Sequence, residues 1–439
     1  MEQTKSRELF EKAQSMVPGG VHSNSRFRNP HPLYYKRAGG AYIWDVDGNQ
    51  YIDCIMGNGA IIFGHNDKEF NERMAHYMRS GIVTGLETEL SIIAAEKFLS
   101  IVKTAEQVRY TNTGTEATMH TMLIARGYTG KQHVAVIEGA YNGWHDAVYV
   151  STWPNLSLAG EHSAPHSLPG SSGLQKSVVE STLVLPFNDL ATAERLLTEN
   201  QDRIAAVIIE PTMIDIGYIP AKKEYLQGLR RICDQLNILL VFDELLTGFR
   251  DAPGGAQEHY GVTPDLATFG KAIANGYMLA AVAGKQKIFE TVTPGKGTCS
   301  FIGTYNGHQV SLAASMAFME LYEEKQVFGT LQKRTSQLMS EFARLAKKHC
   351  VPGKIQGRGG HFHWYFTDNE LTNYREAAAS NKEQYAQFIQ GLTNHNVYCS
   401  PNYLLHHAIS MAHDDAILET LISYMDDSLG KVGSLIFRD

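Results

Sequence analysis

The sequence predicts an α/β protein: a large domain with a mainly parallel central sheet, and a smaller α+β domain built from both termini. Three observations predict this. From about residue 85 to 285, short uninterrupted apolar runs alternate with helical stretches, the pattern of strands covered on both faces by crossover helices. Ahead of them lies a segment of alternating Tyr, Ile, Val and Trp broken by Asp47-Gly48. After about residue 350, short strand-like runs mix with helical ones. The expected domains are 1–75 and 326–439 for the two parts of the small domain, and 76–325 for the large one.

Ser6 to Met16 reads as a short amphipathic helix ended by Pro18-Gly19-Gly20. Leu33 to Asp53 then reads as a hairpin, because Asp47-Gly48 can take the positive φ angles of a tight turn. Val134–Ile137, Ala205–Ile209, Ile238–Phe242 and Leu279–Ala283 are the strands expected in the parallel sheet. Thr118 to Tyr128 and Lys223 to Leu236 are expected crossover helices, and Gln309 to Lys348 a further helical stretch. His361 to Phe366 reads as a strand and Asp415 to Met425 as a helix.

The 439 residues are enough for a large core. With 39 Lys+Arg against 46 Asp+Glu the net charge is −7, which argues against a general affinity for nucleic acid. No apolar run reaches the roughly 18 residues of a membrane span, and the start lacks the apolar core of a secretory signal. Five scattered cysteines without CxxC spacing indicate neither a disulfide framework nor a zinc site. A reducing, cytoplasmic setting is expected.

Several features carry chemistry. Two predicted strands end in carboxylates, Glu210 and Asp243, and the carboxyl ends of such strands line the ligand crevice of an open α/β sheet. Asp is also a common cap at that place. Thr113 with Glu116 three residues on is a capping-box pattern, while Thr113-Gly114-Thr115 opening a helix also fits an anion site. Lys271 sits between glycines in an apolar context; there a lysine either snorkels to solvent or becomes a carbonyl nucleophile. His361 and His363 are two apart, facing one side of a strand, and His406 and His407 are adjacent. Without supporting Cys or carboxylate spacing they read as polar lining, and no metal is expected.

Taken together the segments resemble a known family. They run Asn112-Thr-Gly-Thr-Glu-Ala, Glu138-Gly-Ala-Tyr141-Asn-Gly-Trp-His-Asp, Ile208-Ile-Glu210-Pro, Leu240-Val-Phe-Asp243-Glu-Leu-Leu-Thr-Gly-Phe-Arg250, Tyr260-Gly-Val-Thr-Pro-Asp-Leu-Ala-Thr-Phe-Gly-Lys271 and Gly303-Thr304-Tyr-Asn-Gly. The chain resembles the class III pyridoxal-phosphate aminotransferases, and within them the glutamate-1-semialdehyde aminomutase branch, from Val17 to His413. The resemblance implies a fold-type I homodimer with two active sites at the subunit interface, binding pyridoxal 5′-phosphate.

Residue by residue, the resemblance implies that Lys271 is the Schiff-base lysine. Asp243 would pair with the pyridinium nitrogen, keeping the ring an electron sink. Thr113, Gly114 and Thr115 would form the phosphate cup and Tyr141 would stack on the ring. Glu210 would lie near the cofactor edge, and Thr304 would reach the phosphate of the neighbouring subunit. Ser23 and Arg26 fall where the branch holds its substrate carboxylate, a task suited to arginine. Trp144 is a candidate pocket wall.

Two departures bear on the reaction. The branch's Glu-Pro-Val-Ala-Gly-Asn reads Glu210-Pro-Thr-Met-Ile-Asp215 here, and a glutamate near its end falls on Leu405. The reading that follows is an intermolecular, ping-pong aminotransferase acting through Lys271 on an amino donor and a carbonyl acceptor. The alternatives are an aminomutase, a related racemase or decarboxylase, and more distantly a non-catalytic binding protein. A dinucleotide oxidoreductase lacks its glycine motif, since Gly357-Arg-Gly-Gly360 has the wrong spacing. Leu156 to Gln175 resembles the branch's mobile active-site loop.

Overall fold

The computed structural model describes residues 4–436. Its centre is a seven-stranded sheet in the order Gln107–Thr111, Ala280–Gly284, Leu266–Phe269, Leu239–Glu244, Ile204–Ile209, His133–Ile137 and Thr182–Leu185. The two middle strands Ile204–Ile209 and Leu239–Glu244 are buried at every position. That is what unbroken apolar runs require when helices cover both faces.

One expected parallel strand is not parallel. Ala280–Gly284 runs antiparallel to both of its neighbours. Only the short turn Lys271–Ala274 and a few further residues separate it from Leu266–Phe269. A right-handed parallel return needs a crossover of a dozen or more residues, so the chain simply doubles back.

The crossover helices are present. Lys223–Leu236 ends at Asn237, whose φ of 51° stops it. Gly114–Thr129 begins four residues before the expected Thr118, because Thr113 already caps it. The expected stretch Gln309 to Lys348 is two helices, Gln309–Glu324 and Val327–Lys348, interrupted where Gln326 takes a φ of 48°. The last helix, Asp415–Ile436, runs well past Met425.

The hairpin also differs from expectation. Tyr42–Asp45 pairs with Gln50–Asp53, but only Gly48 has a positive φ (96°), so the turn is not the tight two-residue type. Instead the Asp45 carboxylate accepts from the Asp47 and Asn49 amides, the Asn49 side chain and the Tyr51 hydroxyl. Asp47 in turn accepts from Lys5 and Ser6, fixing the helix Thr4–Gln14. This sheet is completed by Val397–Tyr398, parallel to Gln50–Asp53, so the two ends of the chain share one sheet. A second small sheet joins Lys354–Arg358, His361–Tyr365 and His407–Ala408.

Candidate active site

Asp243 lies at the carboxyl end of its strand and is 2% exposed. The parallel register sets Thr268 opposite it, and the Thr268 hydroxyl donates to Asp243 Oδ1 at 3.2 Å. The Leu245 amide donates to the same oxygen at 3.1 Å, and Asn142 Nδ2 to Oδ2 at 2.9 Å. Burial pushes the Asp243 pKa up; these donors and the nearby Lys271 charge pull it back. The site therefore keeps a desolvated carboxylate ready for a cationic N–H.

Lys271 follows that neighbouring strand after Gly270 and opens the one-turn helix Lys271–Ala274. Its φ of 47° is unusual for a residue with a side chain. Such strain concentrates at functional positions. A Cβ on the glycine before it, Gly270, would meet a terminal methyl of Leu245 at 2.6 Å, so that side chain would have to move.

Glu210 joins two neighbouring segments. Its Oε1 accepts from the Tyr141 amide and its Oε2 from the Ile214 amide, each at 3.1 Å. Burial raises its pKa well above the carboxylate range, and the charges of Asp215 and Asp243 add to this. The Tyr141 ring lies parallel to Trp153, with centroids 5.6 Å apart and planes 7° apart. Its hydroxyl is pushed up to about 12, chiefly by burial and then by the Asp215 charge.

The helix Gly114–Thr129 aims its N-terminus at this region. Thr113 caps it, accepting from the Glu116 amide at 3.2 Å. The expected capping box is shifted: the Glu116 carboxylate accepts from the Asn112 amide and side chain, not from Thr113. Gly143 packs against the helix start, where a Cβ would crowd the Thr118 and Thr115 hydroxyls. His145 meets the Thr118 hydroxyl at 3.1 Å, and burial lowers its pKa to about 4, so the ring is neutral.

The structure thus brings Lys271, Asp243, Glu210, Tyr141 and the Thr113–Thr115 helix start to one end of the central sheet. Ser23, Arg26, Trp144 and Thr304 are exposed on the single chain, Trp144 at 69%. Asn142 and Trp153 are site residues that motif reading passed over. Asn142 follows Tyr141 directly, which is the one hint the sequence offers. Trp153 takes a φ of 46° and donates its indole N–H to the Asp215 carbonyl at 2.9 Å.

The chain around Tyr141 and the segment Leu156 to Gln175 are held from the C-terminal side. Arg375 forms a two-armed pair with Glu138, at 2.8 and 2.7 Å, and also donates to the Gly160 carbonyl. Tyr374 donates to the Pro154 carbonyl, and its ring packs against Gly139, where a Cβ would clash. The segment Leu156 to Gln175 contains a two-stranded hairpin, Gly160–Glu161 with Ala164–Pro165. Among the described residues no cluster could hold a metal ion, and no helix is long and apolar enough to cross a membrane.

Comparison with known proteins agrees with this geometry. The family model described as aminotransferase class-III matches residues 23–423. The glutamate-1-semialdehyde 2,1-aminomutase of Methanocaldococcus jannaschii is 36% identical over 424 residues, covering 96% of this chain and 97% of that protein. Among solved structures, an omega-transaminase from Sphaerobacter thermophilus superposes with a TM-score of 0.93 at 31% identity, covering 97% of both chains. A transaminase with PLP bound superposes with a TM-score of 0.90 at 28% identity, covering 99% of both chains. The chain belongs to the class III aminotransferase family, and its cofactor is pyridoxal 5′-phosphate.

Proposed function

We propose that this protein is an aminotransferase that passes an amino group between an amino acid or amine and a carbonyl acceptor. The observation that carries the reading is the buried Asp243 carboxylate, held by Asn142, Thr268 and the Leu245 amide, one strand away from the strained Lys271. The side chains fit the cofactor. A desolvated carboxylate suits a protonated ring nitrogen, a lysine amine suits its carbonyl, and a helix N-terminus suits its phosphate.

When bound, pyridoxal phosphate supplies an electrophilic carbonyl and an electron-withdrawing ring. Asp243, whose charged form the Asn142, Leu245 and Thr268 donors favour against burial, would keep a proton on the ring nitrogen. Thr113, Gly114 and Thr115 offer N–H and hydroxyl groups to the phosphate. Tyr141 covers the ring and Glu210 fixes the Tyr141 loop through its amide. Lys271 Nζ would hold the cofactor through its carbonyl carbon, and would be free to act as a base once a substrate amine is held there instead. The freed amine of Lys271 would be the base that takes the proton from the substrate carbon and delivers it to the cofactor's carbonyl carbon. Ser23 and Arg26 are assigned to a substrate carboxylate, and Trp144 to the pocket wall.

We also propose a homodimer, with Thr304 of the partner subunit reaching the phosphate. Support comes from large apolar side chains left exposed on the single chain. Leu86, Met278 and Ile302 are 74%, 76% and 78% exposed. Hydrogen bonds from Val83 to Gln309 and from Ser311 to Met278 tie parts of this surface together. Solvent is a poor neighbour for so much apolar area, and a second copy of the chain would cover it.

An intramolecular aminomutase is the second reading, favoured by the name of the 36% identical relative. Asp215 and Leu405, where that branch carries an amide and a glutamate, weigh against it. The deciding experiment is the visible spectrum of the purified holoenzyme before and after a panel of α-, β- and ω-amino acids and simple amines. Loss of the Schiff-base band, restored by a carbonyl acceptor, is the expected result. Product formed from one substrate with no second carbonyl compound would favour the aminomutase, or a related racemase or decarboxylase, instead.

A further inference from the structure

Lys271 opens a turn of only four residues, Lys271–Ala274, and Asn275 closes it. Both bounding residues are left-handed, each with a φ of 47°. Asparagine takes that conformation more readily than most residues; lysine does not. Around the turn, the Ile273, Asn275 and Tyr277 amides donate to the Gly270, Ala272 and Ala274 carbonyls, at 3.1, 2.9 and 3.0 Å. These short-range bonds hold the shape of the turn. They leave its orientation, and so the direction of Lys271, to what the turn is fastened to.

Asn275 is that fastening. It is 8% exposed, and its Oδ1 accepts from the Ile62 amide at 2.7 Å and the Phe63 amide at 3.1 Å. Two N–H groups converge on one atom, which must be the carbonyl oxygen of the side chain. Ile61 packs close by, where a Cβ on Gly276 would meet its side chain at 3.1 Å.

The loop that supplies these amides is itself held firmly. Met56, Gly57, Asn58 and Gly59 all take positive φ angles, a run that persists only where the surroundings dictate it. Asp53 Oδ1 accepts from the Ile55 and Met56 amides at 2.7 and 3.1 Å. The buried Arg250 donates to the Gly59 carbonyl through one nitrogen and to the Gly359 and Ile409 carbonyls through another. The Met411 amide donates to the Ile62 carbonyl at 2.7 Å. Ile62 is therefore bonded on both sides, to the C-terminal part of the chain through its carbonyl and to Asn275 through its amide.

We propose that Asn275 is a positioning residue for Lys271: by accepting the Ile62 and Phe63 amides it fixes the Lys271 turn against the loop Ile55–Gly64, and through that loop against the C-terminal part of the chain. Without the acceptor, two buried N–H groups lose their partner and the turn is free to shift. A shift changes where Lys271 stands relative to the buried Asp243 carboxylate and to the carbon it acts on. The inference rests on the aminotransferase reading for the work of Lys271 and adds the residue that aims it.

The test compares the parent with Asn275→Gly, which accepts the positive φ but has no acceptor, and Asn275→Asp, which keeps the acceptor and tolerates the φ. Hydrogen exchange of a peptide spanning 55–64, followed by mass spectrometry on the apoprotein, should quicken in the glycine variant alone. In the holoenzymes, Asn275→Gly should lower kcat at least about tenfold with KM changed less than about threefold, since a small misplacement of a reacting group acts on the chemical step. Its visible band should titrate with a midpoint displaced by about half a pH unit or more, because the distance to the Asp243 charge has changed. Asn275→Asp should keep kcat within about threefold of the parent. Should the glycine variant fail to fold, Asn275→Ser, whose shorter side chain stops short of both amides, takes its place with the same expectations. Faster exchange with kcat and the band midpoint unmoved would overturn the inference and leave Asn275 a purely structural residue. An aspartate variant that protects the loop yet loses as much kcat as the glycine variant would overturn it too. A displaced band midpoint in a protein that transfers no amino group would keep the positioning role and remove the aminotransferase reading; full transfer by the glycine variant with an unmoved band would do the reverse.

Discussion

Asn142 donates its side-chain N–H to Asp243 Oδ2 across 2.9 Å, tying the loop that carries Tyr141 to the carboxyl end of the strand Leu239–Glu244. The bond has two consequences. It favours the charged form of a carboxylate that burial pushes the other way, and it fixes the distance between Asp243 and the loop that carries Tyr141. Asn142→Ala should weaken cofactor binding by about tenfold or more, the scale of a hydrogen bond to a buried charge. Asn142→Asp should be worse, because a second carboxylate would face Asp243. Titration of each apoprotein with pyridoxal phosphate checks this; unchanged affinity in both variants would refute the role.

Arg375 and Glu138 form a second tie, from the C-terminal lobe to the strand end just before Tyr141. Glu138 is 4% exposed, and removing its partner leaves a buried charge unpaired. Arg375→Ala should cost about 3 kcal/mol, the lower end for a broken buried pair because Arg375 is partly exposed. It also releases the Gly160 carbonyl, so the segment Leu156 to Gln175 should be cut faster by protease. Urea midpoints and limited proteolysis measure the two effects. A variant as stable and as resistant as the parent would contradict the clamp.

Much of this is legible in the sequence, for identifiable reasons. The buried strands announce themselves because both faces need apolar residues, so Ile204–Ile209 has no polar residue to break the signal. Lys271 and Asp243 stand out only through the motifs around them, since an Asp at a strand end or a lysine between glycines is by itself unremarkable. Strand direction is not legible at Ala280–Gly284, since an apolar run reads the same both ways and only the short connection decides. The break at Gln326 is hidden because a left-handed glutamine carries no compositional mark. Asn142 and Trp153 act through tertiary contacts, with partners 101 and 62 residues away, and no local spacing rule reports those.

The backbone at Lys271 separates chemistry from stability. Lys271→Ala and Lys271→Gly should both abolish turnover and the Schiff-base band while the fold survives. They should differ in stability: at a φ of 47° glycine is unstrained and alanine is not. The glycine variant should be more stable than the alanine variant by about 1 kcal/mol. Equal melting temperatures would mean the turn relaxes, and normal turnover in either variant would end the assignment of Lys271.

The exposed surface around Met278 predicts a dependence on assembly. Met278→Asp places a charge on a position that is 76% exposed in the single chain and apolar in character. If the proposed homodimer holds, light scattering should report a dimer for the parent and a monomer for the variant, and turnover should fall with it, because the proposed contact of Thr304 of the partner subunit with the phosphate would be lost. A fully active monomer would argue against a shared site.

His413 sets part of the acid stability. Its Nδ1 accepts from the Ser410 amide at 3.1 Å, and its Nε2 meets the Asp53 carbonyl at 3.1 Å. Both nitrogens are thus committed in the neutral form, and protonation at Nδ1 would remove the acceptor. Burial is the main reason its pKa falls from 6.5 to about 4. Between those values the unfolded chain binds a proton that the folded chain refuses, so stability falls as the pH drops through that window. For this residue alone the loss is about 2 kcal/mol between pH 7 and pH 5. His413→Gln can still accept from Ser410 and donate to Asp53 but does not titrate. It should therefore lose less stability on acidification than the parent, by about that amount, even if it starts lower at pH 7. Urea unfolding at the two pH values gives the comparison directly. An identical acid dependence in parent and variant would show that His413 does not titrate differently on folding.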